Sequence, residues 1–173
     1  LLKSENLIRQ AVATVDNLPR RKLSIERLPW IAAPGRFEVV GDEDNAVISE
    51  QNYRRYDAAF AALERVDATK LAALYVRFYP LAQRAYQDLG YPDGYFNDRF
   101  IKVIDHLLAT PRPREPIALK RPNVFYEFAD PALESLSGGQ KLLLRVGPKH
   151  RSLLETRLRE LRGQLARVQQ IRR

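Results

Sequence analysis

Residues 96–109 read FNDRFIKVIDHLLA, and the spacing of their side chains decides how the chain folds. On a helical wheel, with about 100° per residue, one broad arc of this segment is apolar and the opposite arc is polar. The apolar arc consists of Phe96, Phe100, Val103, Ile104, Leu107 and Leu108. The polar arc consists of Asp98, Arg99, Lys102, Asp105 and His106. The segment is therefore predicted to be an amphipathic helix that packs its apolar side against other helices.

Similar helical patterns lie on both sides of this segment. Residues 4–18 form a second periodic stretch, and further helices are predicted to start at Ser49, Asp67, Asp130, Ser137 and about Lys149. We expect a kink or a restart at Pro80, and a β-hairpin formed by residues 117–119 and 124–128. The fold class is therefore mainly α. Because strands and helices do not alternate, a Rossmann-type nucleotide site is not expected.

The whole chain is predicted to be a single compact multi-helix domain with one small β-hairpin and a long basic C-terminal helix. In this division residues 1–147 form the body and residues 148–173 form the C-terminal helix, which either docks on the body or projects from it. The 173 residues are enough for one domain with a sizeable core.

Composition excludes several chemistries. The chain has no cysteine, so thiol catalysis, disulfides, cysteine-bound zinc and iron–sulfur clusters are excluded. It has two histidines, His106 and His150, which cannot form a histidine-rich metal site. We therefore predict no metal and no cofactor. No run of 18 apolar residues is present, so no membrane-spanning segment is expected within these residues.

The net charge of +8 is concentrated at one end of the chain. Residues 141–173 contain ten basic and two acidic side chains, which equals the whole excess. A charge so localised indicates an anionic partner such as an acidic protein face, an anionic polymer, anionic lipid or nucleic acid. A helix face that is simply solvated explains the same pattern, and both interpretations stay open.

The C-terminal helix combines a leucine seam with a row of arginines. The seam, spaced as in a coiled coil over two heptads, consists of Leu154, Leu158, Leu161, Leu165 and Val168. The arginines proposed for anion or partner contact are Arg157, Arg159, Arg162 and Arg167. The seam could dock on the domain's own body or pair with another copy or another protein.

Residues 136–140 read LSGGQ, the signature sequence of ABC-transporter ATPases. In those enzymes the segment faces nucleotide phosphates held by a Walker A loop, and such a loop needs a Gly-Lys pair. No Gly-Lys pair occurs anywhere in this sequence. The spacing of Ser137 and Gln140 is instead that of a capping box, in which each side chain bonds the other residue's backbone N–H. ATPase activity is therefore not predicted.

The segment from Tyr91 to His106 groups aromatic and polar side chains of the kind that binding sites use. The candidate binding residues are Tyr91, Tyr95, Asn97, Asp98, Arg99 and His106. An acid–base pair of Asp105 and His106 is not favoured, because adjacent side chains on a helix diverge by about 100°. No catalytic residue is therefore assigned.

Several stretches together resemble a bacterial family catalogued as domain of unknown function 3014. They are residues 15–20 (VDNLPR), 74–75 with 79–81, 89–92 with 94–99 (LGYP and GYFNDR), 104–111 (IDHLLATP) and 139–145 (GQKLLLR). The resemblance covers about residues 5–150. It implies an envelope protein, with a soluble domain outside the cytoplasm and a membrane anchor upstream of Leu1. It implies no activity and no functional residue.

Together these observations predict a non-catalytic binding or assembly module of a bacterial envelope protein, located in the periplasm. Its expected partner is an envelope protein or an anionic polymer, and a homo-oligomer could form through the C-terminal helix. Nucleic acid is not an expected partner in that compartment. One alternative is a hydrolase that acts on an envelope polymer with a carboxylate pair such as Asp98 and Asp105. Another is binding of an anionic polymer or nucleic acid through the basic C-terminal helix.

Overall fold

A computed structural model describes residues 2–22, 35–42 and 45–171, with side chains for residues 6–22, 35–42 and 45–167. The described residues form eight helices and four two-residue strands. The helices are α1 (Leu2–Asn17), α2 (Glu50–Arg54), α3 (Asp57–Glu64), α4 (Ala68–Asp88), α5 (Phe96–Leu108), α6 (Pro131–Glu134), α7 (Gly138–Arg145) and α8 (Pro148–Ile171). The strands are β1 (Val39–Val40), β2 (Val47–Ile48), β3 (Leu119–Lys120) and β4 (Glu127–Phe128). The prediction of a compact, mainly helical fold is confirmed.

Several helix ends follow the capping residues in the sequence. The Asp67 side chain accepts from the Lys70 backbone N–H at the start of α4, and Asp130 accepts from Ala132 before Pro131 opens α6. Ser137 and Gln140 form the predicted capping box of α7. Gly147 ends that helix region with a φ of +86°, a conformation that glycine adopts without steric cost.

One local prediction differs from the structure, one is tested in part, and one lies outside the described side chains. The helix that begins after Ser49 divides into α2 and α3 at Arg55 and Tyr56. Helix α4 continues through Pro80 without a restart, although proline cannot donate a backbone hydrogen bond there. Burial of one side of this 21-residue helix outweighs that local cost. The kink that was expected as the other possibility stays a prediction. The cap predicted at Ser4 lies outside the described side chains.

The structure contains two antiparallel strand pairs, whereas the sequence predicted one hairpin. In the first pair Val39 lies opposite Ile48, and in the second Leu119 lies opposite Phe128. A bridge between Val47 and Ala118 joins the two pairs edge to edge, and the Leu119 N–H donates to the Ala46 carbonyl at 2.7 Å. The predicted second strand of the hairpin was too long, because residues 121–126 connect the strands as a loop. Two-residue strands produce no periodicity that a sequence pattern can show.

Three apolar clusters fill the interior. One lies under the strands and contains Ala46, Ile48, Ile117, Leu119, Phe128, Leu133 and Leu144. A second joins α1, α4 and α5 through Val12, Ala82, Ala85, Tyr86 and Phe96. The third joins α5 and α7 through Val103, Leu107 and Leu143, and α8 covers it with Leu154 and Leu158.

Helix α8 docks on the body, which decides between the two arrangements left open by the sequence. Leu165 is fully buried, with 0% of its surface exposed. Buried polar contacts hold the first half of the helix. Glu155 pairs with Arg151 at 2.8 Å and also with Arg112, while Arg151 donates to the Thr110 carbonyl at 2.9 Å. The side chain of Val168 lies outside the described residues.

Candidate functional site

A buried carboxylate lies where α1 meets α5. Asp16 is 2% exposed, and the Arg99 guanidinium donates from Nε to its Oδ1 and from Nη2 to its backbone carbonyl, both at 2.8 Å. Arg20 Nη2 reaches Oδ2 at 3.1 Å, and the Tyr91 hydroxyl reaches the same oxygen at 3.4 Å. We call these four residues the Asp16 cluster. Two guanidinium groups compensate the buried charge, so the cluster ties the end of α1 to α5 and to the turn before it.

Local sequence explains why these side chains meet. Asp16 follows Val12 by one helical turn, so it lies on the buried side of α1, and Arg20 is placed a further turn along. Tyr91 stacks on Tyr86 of α4 with ring centroids 4.6 Å apart. In the turn between α4 and α5, a Cβ atom on Gly94 would lie 2.9 Å from the Tyr86 ring. The turn can therefore pack closely against α4 only with glycine at this position.

A histidine–serine contact lies next to the cluster. His106 Nε2 is 2.8 Å from Ser137 Oγ, and the Gln140 side chain donates to the His106 carbonyl at 3.2 Å. Burial lowers the pKa of His106, and the positive charge of Arg99 lowers it further. The imidazole is therefore neutral at pH 7, and it links α5 to the start of α7 as a hydrogen-bonding group without charge.

The backbone N–H groups of the LSGGQ segment already donate hydrogen bonds to other groups of the same chain. The Gly138 N–H donates to the Arg20 carbonyl at 2.7 Å, and the Gly139 N–H donates to the Leu18 carbonyl at 2.9 Å. The Gln140 N–H donates to Ser137 Oγ at 3.2 Å. These amides would be needed to bind a phosphate or to stabilise an oxyanion beside Ser137. Since each already has a partner, the segment acts as a packing junction in this structure.

The six candidate binding residues are placed in different environments. Tyr95 is 67% exposed and Tyr91 is partly exposed, so these two present aromatic surface to solvent. Asn97 is buried, and its Oδ1 accepts from the Tyr75 hydroxyl at 3.2 Å. Asp98 is half-buried in the first turn of α5. Arg99 and His106 make the internal contacts described above. The six residues that are close in sequence therefore do not form one site. Asn97, Arg99 and His106 make contacts inside the domain, whereas Tyr91 and Tyr95 lie at the surface of the turn before α5.

The two carboxylates considered for hydrolysis lie about two turns apart on the same helix. Asp98 and Asp105 are seven residues apart on α5, which corresponds to about 10.5 Å along the helix axis. Asp105 is exposed and forms a two-point ion pair with Arg162 of α8, with Nη2 and Oδ2 at 3.0 Å. This ion pair attaches α8 to α5, and it means that the Asp105 carboxylate already has the Arg162 guanidinium as its partner.

The arginines of α8 are mostly engaged within the chain. Arg157 contacts Glu160 at 2.8 Å and donates to the Glu64 carbonyl at 2.7 Å. Arg159 contacts Glu155 at 3.3 Å, and Arg162 contacts Asp105. Arg167 is exposed. Three of the four arginines thus have an acidic partner in the same chain, but the segment stays positively charged, because Glu155 and Glu160 are already counted in its net charge and Glu155 is shared with Arg151 and Arg112.

Sequence reasoning did not select Asp16, Arg20 or Ser137 as site residues. Asp16 could have been found, because a carboxylate next to Val12 and Val15 on one helix face predicts a buried charge that needs a partner. Its i, i+4 spacing to Arg20 was a second signal. The contact of His106 with Ser137, 31 residues later, left no trace in the sequence.

In the described part of the chain, no group of three or more His, Cys, Asp or Glu side chains could hold a metal ion. No helix of that part combines the length and the apolar character that crossing a bilayer requires. The described residues form a compact, mainly helical domain with two small strand pairs. Residues 7–162 match the family described as protein of unknown function DUF3014, and the chain belongs to that family. No curated protein and no solved structure matches the chain.

Proposed function

We propose that this chain is a non-catalytic binding module of a bacterial envelope protein, and that it contacts its partner through the turn between α4 and α5. The turn surface consists of Leu89, Tyr91, Tyr95 and Arg20. The observation that carries the proposal is the exposure of an aromatic side chain, Tyr95, which is 67% exposed where α5 begins. Tyr91 and Arg20 meet at the same oxygen of Asp16, and tyrosine and arginine are among the residues that dominate binding energy in protein interfaces.

The Asp16 cluster supports this role by holding the turn surface in one conformation. Arg20 and Tyr91 bond the same carboxylate oxygen, at 3.1 and 3.4 Å, and each keeps part of its side chain at the surface. Gly90 provides a φ of +104°, which lets the chain reverse immediately after α4. A surface ordered in advance loses less conformational entropy when a partner binds.

The chemistry of the surface favours a protein partner that presents acidic and apolar side chains together. Leu89 and the two tyrosines supply apolar area. The exposed side chains of Arg20, Arg21 and Lys22 supply positive charge, and Asp93 is an exposed acidic side chain in the turn. Positive charge at the edge of an apolar patch accelerates association with an acidic partner.

The alternative functions have less support. A hydrolase would need a free carboxylate, whereas Asp105 is paired with Arg162. Binding of an anionic polymer or nucleic acid through α8 would need arginines that now contact Glu160, Glu155 and Asp105. A homo-oligomer through the leucine seam would require α8 to leave the body, because Leu165 is buried and the partly buried Leu154 and Leu158 pack against the core of the body.

Photo-crosslinking in intact cells tests the proposal. A photoreactive phenylalanine analogue replaces Tyr95 in the full-length protein, and the same analogue at Leu74, which is 50% exposed on α4, is the matched control. We expect a discrete crosslinked protein at position 95 and none at position 74. Arg20→Glu should abolish the crosslink, whereas Arg65→Glu, directly after α3, should leave it unchanged. Equal crosslinking at positions 95 and 74, or none at 95, would contradict the proposal.

A further inference from the structure

The loop between β3 and β4 carries the two most exposed large apolar side chains among those that the structure describes. Phe125 is 81% exposed and Val124 is 72% exposed. They lie at the tip of the loop formed by residues 121–126, which connects the two strands. Exposed side chains of this size lose favourable burial energy unless something covers them.

Contacts at the base of the loop hold it in one conformation, in which Val124 and Phe125 are exposed. The Arg121 guanidinium lies over the Tyr126 ring, 5.4 Å from its centroid. The Tyr126 ring packs against the Phe37 ring, and the two ring centroids are 6.0 Å apart. Below these residues Phe128 is buried in the core and Leu119 lies opposite it in the strand pair. The folded part of the hairpin therefore directs Val124 and Phe125 away from the body.

The charge around the tip is positive. Lys120 and Arg121 are exposed, and residues 117–126 contain no acidic side chain. The carboxylates nearest in sequence belong to Glu127 and Glu115. Glu127 is half-buried opposite Lys120 on the stem of the hairpin, and Glu115 accepts from the Tyr53 hydroxyl at 3.1 Å. Arg36, next to Phe37, adds a further exposed cation, and Glu38 is exposed on the other side of Phe37.

We propose that the β3–β4 loop inserts Val124 and Phe125 into the surface of an anionic lipid bilayer, with Lys120 and Arg121 placed against the headgroups. An apolar tip with cations at its base matches the two layers of such a membrane, because the side chains enter the acyl boundary while the charges stay at the phosphates. A stable protein interface buries about 800 Å² per partner, which two side chains cannot provide. The insertion is independent of the turn surface and of any anchor upstream.

Sedimentation with lipid vesicles tests this inference on the full 173-residue chain. The vesicles consist of phosphatidylcholine mixed with phosphatidylglycerol, and phosphatidylcholine alone is the neutral control. We expect the chain to sediment with the anionic vesicles only, and less so as salt is added. Phe125→Ser should lower the partition coefficient about tenfold. Leu74→Ser removes an apolar side chain that is 50% exposed on α4, outside both proposed surfaces, and it should leave vesicle binding unchanged.

Two further variants separate the contributions of the tip and of its cations. The double variant Lys120→Glu with Arg121→Glu should abolish binding to anionic vesicles. In a Trp30→Phe background, which removes the native tryptophan, a tryptophan in place of Phe125 should be quenched by lipids with brominated acyl chains, whereas a tryptophan in place of Leu74 should not. Because both positions are exposed, the variants are expected to keep the circular dichroism spectrum of the original chain.

Three outcomes would overturn the inference. The first is that the original chain does not bind anionic vesicles, and the second is that Phe125→Ser binds as well as the original. The third is self-association, measured by light scattering, that disappears in Phe125→Ser while vesicle binding is absent. That result would assign the tip to a second copy of the chain.

Discussion

Gly139 in α7 and Gly163 in α8 lie in opposite environments, one closely packed and one open. The difference explains why a glycine is needed near the start of α7. A Cβ atom on Gly139 would lie 2.8 Å from Leu107 Cδ2 and 2.9 Å from the Leu18 carbonyl oxygen. A Cβ atom on Gly163 in α8 would meet nothing within 4 Å. Gly139 is therefore required by close packing at the junction, whereas nothing in the described surroundings of Gly163 requires glycine.

Alanine substitution should have opposite effects at these two positions. Gly139→Ala is expected to lower the free energy of unfolding by about 1–3 kcal/mol, because Leu18 and Leu107 must move. Gly163→Ala should raise it by about 0.5–1 kcal/mol, because alanine favours the helix. Urea denaturation of both variants measures the two changes. A neutral Gly139→Ala would show that the junction is not tightly packed.

His106 provides a prediction about pH. Burial, followed by the charge of Arg99, lowers its pKa below the ordinary value of 6.5. The unfolded chain therefore binds a proton at this histidine more readily than the folded chain does. As the pH falls below about 6.5, the free energy of unfolding decreases, and the decrease stops once the pH is below the lower pKa of the folded state. His106→Gln should show a smaller loss of unfolding free energy between about pH 8 and about pH 5. Parallel curves for the two proteins would contradict the assignment.

At the scale of elements, α8 depends on one buried carboxylate. Burial alone would raise the pKa of Glu155, but hydrogen bonds from Arg151 and Arg112 outweigh it and hold the pKa below the ordinary value of 4.5. Glu155 connects α8 to Arg112 in the segment after α5, and Arg151 connects it to the Thr110 carbonyl. The helix is thus attached by polar contacts at its first turns and by leucines along its length.

Removing this carboxylate should be far more costly than removing an exposed one on the same helix. Glu155→Gln leaves Arg151 buried without a counter-ion and should destabilise the chain by about 3–5 kcal/mol. Glu160→Gln breaks the exposed pair with Arg157 and should cost less than about 1 kcal/mol. Thermal unfolding of the two variants makes the comparison. Similar melting temperatures would show that Glu155 does not hold α8.

At the scale of the whole molecule, the cysteine-free composition allows the envelope location to be tested directly. Thr69→Cys introduces one thiol at an exposed position of α4, and no native thiol competes for the reagent. We expect a maleimide that cannot cross the inner membrane to label this variant in cells with a permeabilised outer membrane. Labelling that occurs only after lysis would place the domain inside the cytoplasm and would contradict the proposal.

Much of the fold was accessible from short-range patterns. The apolar arc of α5, the capping box of Ser137 and Gln140, and the turn at Gly147 all depend on residues within a few positions of one another. Such interactions have the same geometry in any protein that contains the pattern, so the residue letters are sufficient to predict them.

The arrangement of the site depended on contacts between distant parts of the chain. Asp16 and Arg99 are 83 residues apart, and many other arginines could have paired with that carboxylate as judged from the letters alone. The docking of α8 and the occupation of the LSGGQ amides by Leu18 and Arg20 arose in the same way. Helix periodicity states which side of an element is buried, but only the packed core selects which partner covers it, because burial energy is not directional.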